Sequence, residues 1–238
     1  MKQFAGAYKH SDVVIMTALS DVVELSLRDI ARDIAKRMDT SIRDTLSAIG
    51  GTVAGSAAAS IAAVTTADVL RSSDLLKAAV KLEDKDNPRP ADGLFPVITH
   101  PLAIFDLQSS LSTNSWLGIN TATSDAAIGN LYRGEIGQIF GTRVCTSTNV
   151  QRIVGDDTTI STGNSGYRSM MFAPDSFYVT EISDMTAKTF VKQLGSAGAL
   201  DPVNQISTVG AKVFFTALAA DWGSEQRMMR LIHGSNVT

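Results

Sequence analysis

The chain has 238 residues, 44 % of them hydrophobic and 19 % charged, with a formal net charge of −3. This composition is globular and excludes a disordered or collagen-like chain, and the length fits one large domain or two small ones joined by crossing strands. No basic region stands out, which argues against nucleic-acid binding through phosphate contacts as the main activity. The single cysteine excludes a disulfide framework or a Cys-rich zinc site.

Residues 1–9, "MKQFAGAYK", read as an extended segment with Phe4 and Tyr8 among small residues. No pairing partner precedes it, so the strand is expected to pair with a neighbouring chain or with a segment outside this one. The opening "MKQFAGAYKHSDVV" lacks the apolar core of a signal peptide. No run of about 18 apolar residues suggests a membrane-spanning helix.

The clearest helix covers 21–49. Val23, Leu27, Ile30, Ile34, Met38, Ile42, Leu46 and Ile49 recur at three- and four-residue steps and form one apolar face. Glu24–Arg28, Asp33–Arg37 and Asp39–Arg43 are acid-before-base pairs at i,i+4, each worth about 0.2–0.5 kcal/mol. Gly50–Gly51 should end the helix in a left-handed cap. Its narrow apolar face suits a strut laid across a sheet, with charged faces turned to solvent or to neighbouring subunits.

The small-residue run 50–64 reads as loop and short strand. A second helix is expected over 72–85, capped by Ser73, with Leu75, Leu76, Ala79 and Leu82 on one side. "DNPRPADG" (86–93) is a turn or linker and a subdomain boundary. "LFPVITHP" (94–101) is a strand running into a helix that starts at Pro101 and continues through 102–110. Residues 111–130, with Trp116, read as an exposed polar loop, and "GDDTTISTGNSG" (155–166) as a turn-rich excursion. Residues 168–182 split into two strands around Pro174–Asp175. In 208–234 a long extended stretch meets a turn at "DWGS" (221–224) and a shorter strand, which predicts a hairpin.

Candidate chemistry is sparse. His10, His100 and His233 lie far apart in sequence, and none has a metal-ligand partner at i+3 or i+4. His100 reads as a turn residue at a helix start. Gly50 and Gly55 have the separation of a phosphate loop, but Ser56-Ala57 stands where Lys-Ser/Thr is needed. "TGNSG" (162–166) departs from the Gly-x-Ser-x-Gly elbow at Thr162, which weakens Ser165 as a nucleophile. Asp156 and Asp157 are adjacent, so on an extended chain their side chains point apart. Cys145 sits in "TRVCTST", which alternates like a strand with no local histidine to activate a thiolate. The glycines of "NLYRGEIGQIFGTRVCTSTN" (130–149) lead into a strand, where a dinucleotide loop would lead into a helix. No catalytic residue, cofactor or metal is expected.

"GEIGQIFGTRVCTSTN" resembles a segment of tailed-phage major capsid proteins of the HK97-type fold, closest to the branch named for the coliphage N-four coat protein. "KQFAGAYKHSD" resembles that family's returning strand of the extended loop, and 21–49 its spine helix. "DLLKAAVKLED" with "GLFPVITHPLAIFDL" resembles its helix, strand and His-Pro step into the axial domain. "DPVNQISTVGAKVFF" resembles its strand back to the peripheral domain. Relative to the family pattern, the match begins at the returning strand, without the arm and outgoing strand that precede it there.

The resemblance implies an α+β fold with a long spine helix, a peripheral domain of helix plus long antiparallel strands, and a mixed α/β axial domain. It implies an extended-loop remnant at 1–12, peripheral parts at 13–93 and 206–238, and an axial domain at 94–205. The implied function is a non-enzymatic virion protein that self-assembles, as hexamers and pentamers, into an icosahedral shell around double-stranded DNA. The DNA is enclosed without sequence-specific binding, and no membrane is involved. Decoration, portal and scaffolding proteins are the further partners, and synthesis is in the host cytoplasm. Phe4, Tyr8, Arg28, Arg32, Arg37 and Glu135 become candidate inter-subunit contacts. The alternatives are a virion protein forming tubes or rings, and an α/β hydrolase using Cys145 or Ser165.

Overall fold

The computed structural model describes residues 2–48, 51–55, 63–109, 135–154, 165–181, 187–196, 201–222 and 225–235. The expected loops at 111–130 and 156–164, Trp116 and the Asp156–Asp157 pair lie outside them. The chain divides into two compact units, residues 1–42 with 179–218, and 43–178 with 219–238.

The first unit is built on β1 (Lys2–Ser11), α1 (Asp12–Thr17), α2 (Val22–Ser47, to residue 42), β8 (Phe177–Glu181, from residue 179), β9 (Lys188–Lys192) and β10 (Ile206–Ala219). β1 pairs antiparallel with β10 along its whole length, from Lys2 opposite Phe215 to Ser11 opposite Ile206. This corrects the expectation of a partner outside the chain: the partner is internal, about 200 residues away, beyond the reach of local pattern reading. β10 also pairs β8 and β9, which leaves β1 at a sheet edge. Alternation sorts the faces. Phe4 stacks on Phe215 with ring centroids 5.0 Å apart, the Gly6 backbone approaches Ile30, and His10 Nε2 bonds Ser26 Oγ at 2.8 Å. Even-numbered β1 residues therefore face α2, and odd-numbered ones face away. α2 starts where Asp21 Oδ1 accepts from the Val23 and Glu24 N–H groups at 2.9 and 3.2 Å, an aspartate N-cap.

The second unit holds β2 (Gly51–Ala54), α3 (Ser72–Glu83), β3 (Phe95–Thr99), α4 (Pro101–Ser109), β4 (Glu135–Ile139), β5 (Thr142–Thr146), β6 (Gln151–Val154), β7 (Ser165–Phe172), β11 (Asp221–Trp222), β12 (Glu225–Gln226) and β13 (Met228–His233). Seven strands form one mixed sheet in the order β2-β13-β7-β3-β5-β4, with β6 also on β7. The pairs β13–β2 and β3–β5 are parallel and the others antiparallel. One apolar cluster joins Leu75, Ala79 and Leu82 of α3 and Ala103 and Leu107 of α4 to sheet residues such as Phe95, Met171 and Leu231. Each such large side chain contributes about 1.5–3 kcal/mol on leaving water. "MMRLIH" is buried almost throughout, and so does not alternate as a half-exposed strand would.

Two further expectations are corrected. The hairpin at 221–224 shrinks to the two-residue pairing of β11 with β12. β13 does not return along β10; it enters the other sheet between β7 and β2, where its apolar side chains are buried on both faces. Ser73 does not cap α3. The cap position is Arg71, two residues earlier, and the Asp74 carboxylate accepts from the Arg71 N–H at 3.1 Å, so the acid of the first turn reaches back to the cap.

Candidate functional site

The glycine-rich segment closes a hairpin. β4 and β5 are joined by two residues, Phe140 (φ 50°) and Gly141 (φ 71°), between the paired Ile139 and Thr142. Two positive φ values in a two-residue loop make a type I′ turn, which matches strand twist and favours glycine. Cys145 lies on β5 between Ile98 and Glu135, half-buried. Ser165 opens β7 and pairs with Val154 on β6. Neither residue stands at a strand-to-helix elbow. Among the described residues, no group of three His, Cys, Asp or Glu side chains could hold a metal ion, and no helix is long and apolar enough to cross a membrane.

The fold does bring two of the three histidines together, which sequence separation hid. His100 caps α4 and stacks on Tyr167 at 4.4 Å between centroids; His233 lies on the other strand beside the same ring, at 6.3 Å. His233 Nδ1 lies 2.9 Å from the Gly234 carbonyl and Nε2 lies 2.8 Å from Ser169 Oγ. The carbonyl can only accept, so Nδ1 carries the proton and Nε2 accepts from the serine. Ser169 Oγ then accepts from Thr99 Oγ1 at 2.6 Å. This resembles a serine–histidine dyad, but Thr99, Ser169 and His233 are all 0 % exposed. With no path for a substrate, the chain of hydroxyls and imidazole acts as a pin through β3, β7 and β13. Burial pushes the His233 pKa down to about 4, despite the Gly234 bond, which raises it.

A second polar constellation anchors the end of α2. Arg168 and Arg230, on adjacent strands β7 and β13, both donate to the Ser47 carbonyl, at 3.3 and 2.8 Å. Arg168 also donates to Gln151 Oε1 and Arg230 to Thr52 Oγ1. The last carbonyls of a helix lack intrahelical partners and carry partial negative charge. Two guanidiniums satisfy the Ser47 carbonyl here; Gly50, expected as a left-handed cap, lies outside the described residues. Burial, and then the charge of Arg168, lower the Arg230 pKa. Replacing Arg230 with Ala should destabilise this unit by about 2 kcal/mol, and Arg230→Lys should recover only part of that loss, both read from urea melts.

The candidate contact residues scatter in environment. Phe4 is spent on Phe215. Tyr8 is 46 % exposed. Arg28 pairs with Glu24 at 3.1 Å and Arg37 with Asp33 at 3.3 Å, both across exposed helix turns; such pairs are weak and readily exchanged. Arg32 is exposed on the same helix. Glu135 begins β4, opposite Cys145. Five of the six lie in the first unit and Glu135 in the second.

No family model and no curated protein matches the chain. Solved structures do. The capsid of Ralstonia phage GP4 superposes with a TM-score of 0.79 at 12 % identity, covering 99 % of this chain and 73 % of that one. The cyanophage Pam1 capsid gives 0.69 at 12 % identity, covering 99 % and 75 %. The cyanophage P-SCSP1u capsid gives 0.66 at 13 % identity, covering 98 % and 72 %. Core volume and strand order can persist when side-chain identity does not. The chain has the α+β, HK97-type fold of tailed-phage capsid subunits.

Proposed function

We propose that the chain is the major capsid protein of a tailed bacteriophage, a non-enzymatic subunit whose copies close into the icosahedral shell around the phage DNA. The observation that carries this reading is a fold matched over 98–99 % of the chain by the capsid or head structures of five phages. The interior fits it, because the Ser169–His233 pair, whose hydrogen bond resembles a catalytic dyad, is sealed in the core. Closed symmetry requires a subunit with several moderate contacts, and their number makes the shell stable through multivalency.

In this reading 94–205 is the axial domain, 13–93 with 206–238 the peripheral domain, and 1–12 the returning strand of the extended loop. β1, at the sheet edge, offers backbone groups to a neighbouring copy, with Tyr8, Arg28, Arg32, Arg37 and Glu135 as further contacts. Hexamers and pentamers would be the building units, with portal, scaffolding and decoration proteins joining them during synthesis in the host cytoplasm. Negative-stain microscopy of the purified full chain tests this. Closed particles of uniform diameter are the expected result; tubes or rings would assign it to another virion structure, and small discrete oligomers alone would reject a shell role.

A further inference from the structure

One face of the four-stranded sheet, turned away from α2, is open along β1 and β9 among the described residues. It is formed by the odd-numbered residues of β1 and the register partners of those residues on β10 and β9. Gln3, Ala5, Ala7 and Lys9 are all exposed. Four lysines mark this face. Lys9 and Lys192 flank Thr208 in one cross-strand row, and Lys212 and Lys188 stand side by side four residues further along β10, about 13 Å away at ~3.3 Å per residue. Between the rows the floor is Ala7 and Gly210, nearly without relief, edged by Phe190 at 45 % exposure. The Lys212 ammonium lies over the Phe190 and Phe214 rings at 5.3 and 5.7 Å. No acidic residue occupies this face among the registered positions of β1, β9 and β10. The surface is therefore cationic, flat and partly aromatic.

The same unit carries a surface of the opposite character. From Asp12 to Leu27 the sequence holds Asp12, Asp21 and Glu24 and no Lys, Arg or His. α1 within it has no buried residue, and Val13, Met16 and Leu19 are 62, 77 and 108 % exposed. An apolar run left this open marks an interaction site. Glu24 is engaged by Arg28, whereas Asp12 and Asp21 flank α1 and accept from backbone N–H groups of Val13 and of Val23 and Glu24. The six-residue helix is about 9 Å long, and Asp21 lies four residues past its end, so the two carboxylates stand at opposite ends of the segment.

We propose that residues 12–25 of one copy dock on the lysine face of the sheet of a second copy. Asp12 and Asp21 meet the lysine rows, and Val13, Met16 and Leu19 cover Phe190 and the Ala7–Gly210 floor. A phosphate backbone would satisfy the lysines but offers nothing apolar to the rings; the 12–25 segment supplies both. The contact pairs two different surfaces, so it is heterologous and passes from copy to copy until symmetry closes it. This deepens the shell reading by naming one of its interfaces.

The test uses the full chain, mixing isotope-labelled and unlabelled copies before zero-length carbodiimide coupling. Labelled-to-unlabelled cross-links from Asp12 or Asp21 to Lys9, Lys188, Lys192 or Lys212 are expected. Lys188→Glu with Lys192→Glu should reduce assembled material about tenfold or more, since like charges then face each other. Adding Asp12→Lys to that variant, which leaves the Asp21 cap of α2 in place, should raise assembly at least about threefold, a rescue that misfolding cannot mimic. Wild-type assembly by the lysine variant, or failure of Asp12→Lys to rescue it, would overturn the proposal. So would shells that form normally but lose co-purifying nucleic acid, which would assign the face to a polyanion. Cross-links without shells uphold the contact and reject the shell reading; shells without the cross-links do the reverse.

Discussion

Acidification from pH 7 to pH 4 should cost the seven-stranded unit about 3 kcal/mol of stability through His233 alone. The buried imidazole titrates at about 4, against 6.5 in the open chain. Between those values the unfolded state binds the proton first, so each pH unit lost removes up to about 1.4 kcal/mol. The contribution is complete above pH 6.5, falls away as pH drops, and changes no further below pH 4. The cause is burial: a protonated Nε2 would have to reverse the Ser169 hydroxyl bond, donating where it now accepts, and hold a charge where nothing is exposed. His100, lowered by burial and by Arg152, pulls in the same direction. Urea melts from pH 4.5 to 7.5 are the measurement. His233→Gln should be less stable at pH 7 yet lose most of the slope between pH 6.5 and 5; an unchanged slope would refute the assignment.

Replacing Gly234 with Ala should destabilise the same unit by about 3 kcal/mol. An added methyl would run into the Thr65 carbonyl and, at 2.6 Å, into Thr66 Cα and its carbonyl oxygen, all backbone. That backbone cannot yield cheaply. Asp68 Oδ2 accepts from the Thr65 N–H and hydroxyl at 2.8 and 2.9 Å, and the Gly234 N–H donates to the Asp68 carbonyl at 2.9 Å. The turn and the end of β13 are thus locked together through one aspartate. Gly6→Ala is the control, because its methyl would meet only Ile30 Cγ2 at 3.8 Å, and its expected effect is within about 0.5 kcal/mol. Thermal melts of the two variants side by side decide the matter; equal loss in both would mean that the turn adapts.

Local pattern carried far in this chain. The 3.6-residue period of α2 and α3, the Pro101 helix start, the strand around Cys145 and the break at Pro174–Asp175 were all legible, because each depends on neighbours within a few residues. The expectations that failed were pairings and caps. β1 found β10, and β13 left the apparent hairpin for β7 and β2, since a strand's alternation says which face is apolar but not which edge will hydrogen-bond it. The Ser47 carbonyl at the α2 end accepts from two arginines more than 100 residues away, a contact that no local pattern encodes.

By itself the sequence determined the element types, the scarcity of catalytic groups and, through the order of several moderate motifs, the resemblance to a capsid subunit. Only the tertiary structure decided that Thr99, Ser169 and His233 form one sealed pin, and that four lysines on three separated strands share one uncovered face. Both arise from cross-strand register, a relation between segments that are distant along the chain and about 5 Å apart in space.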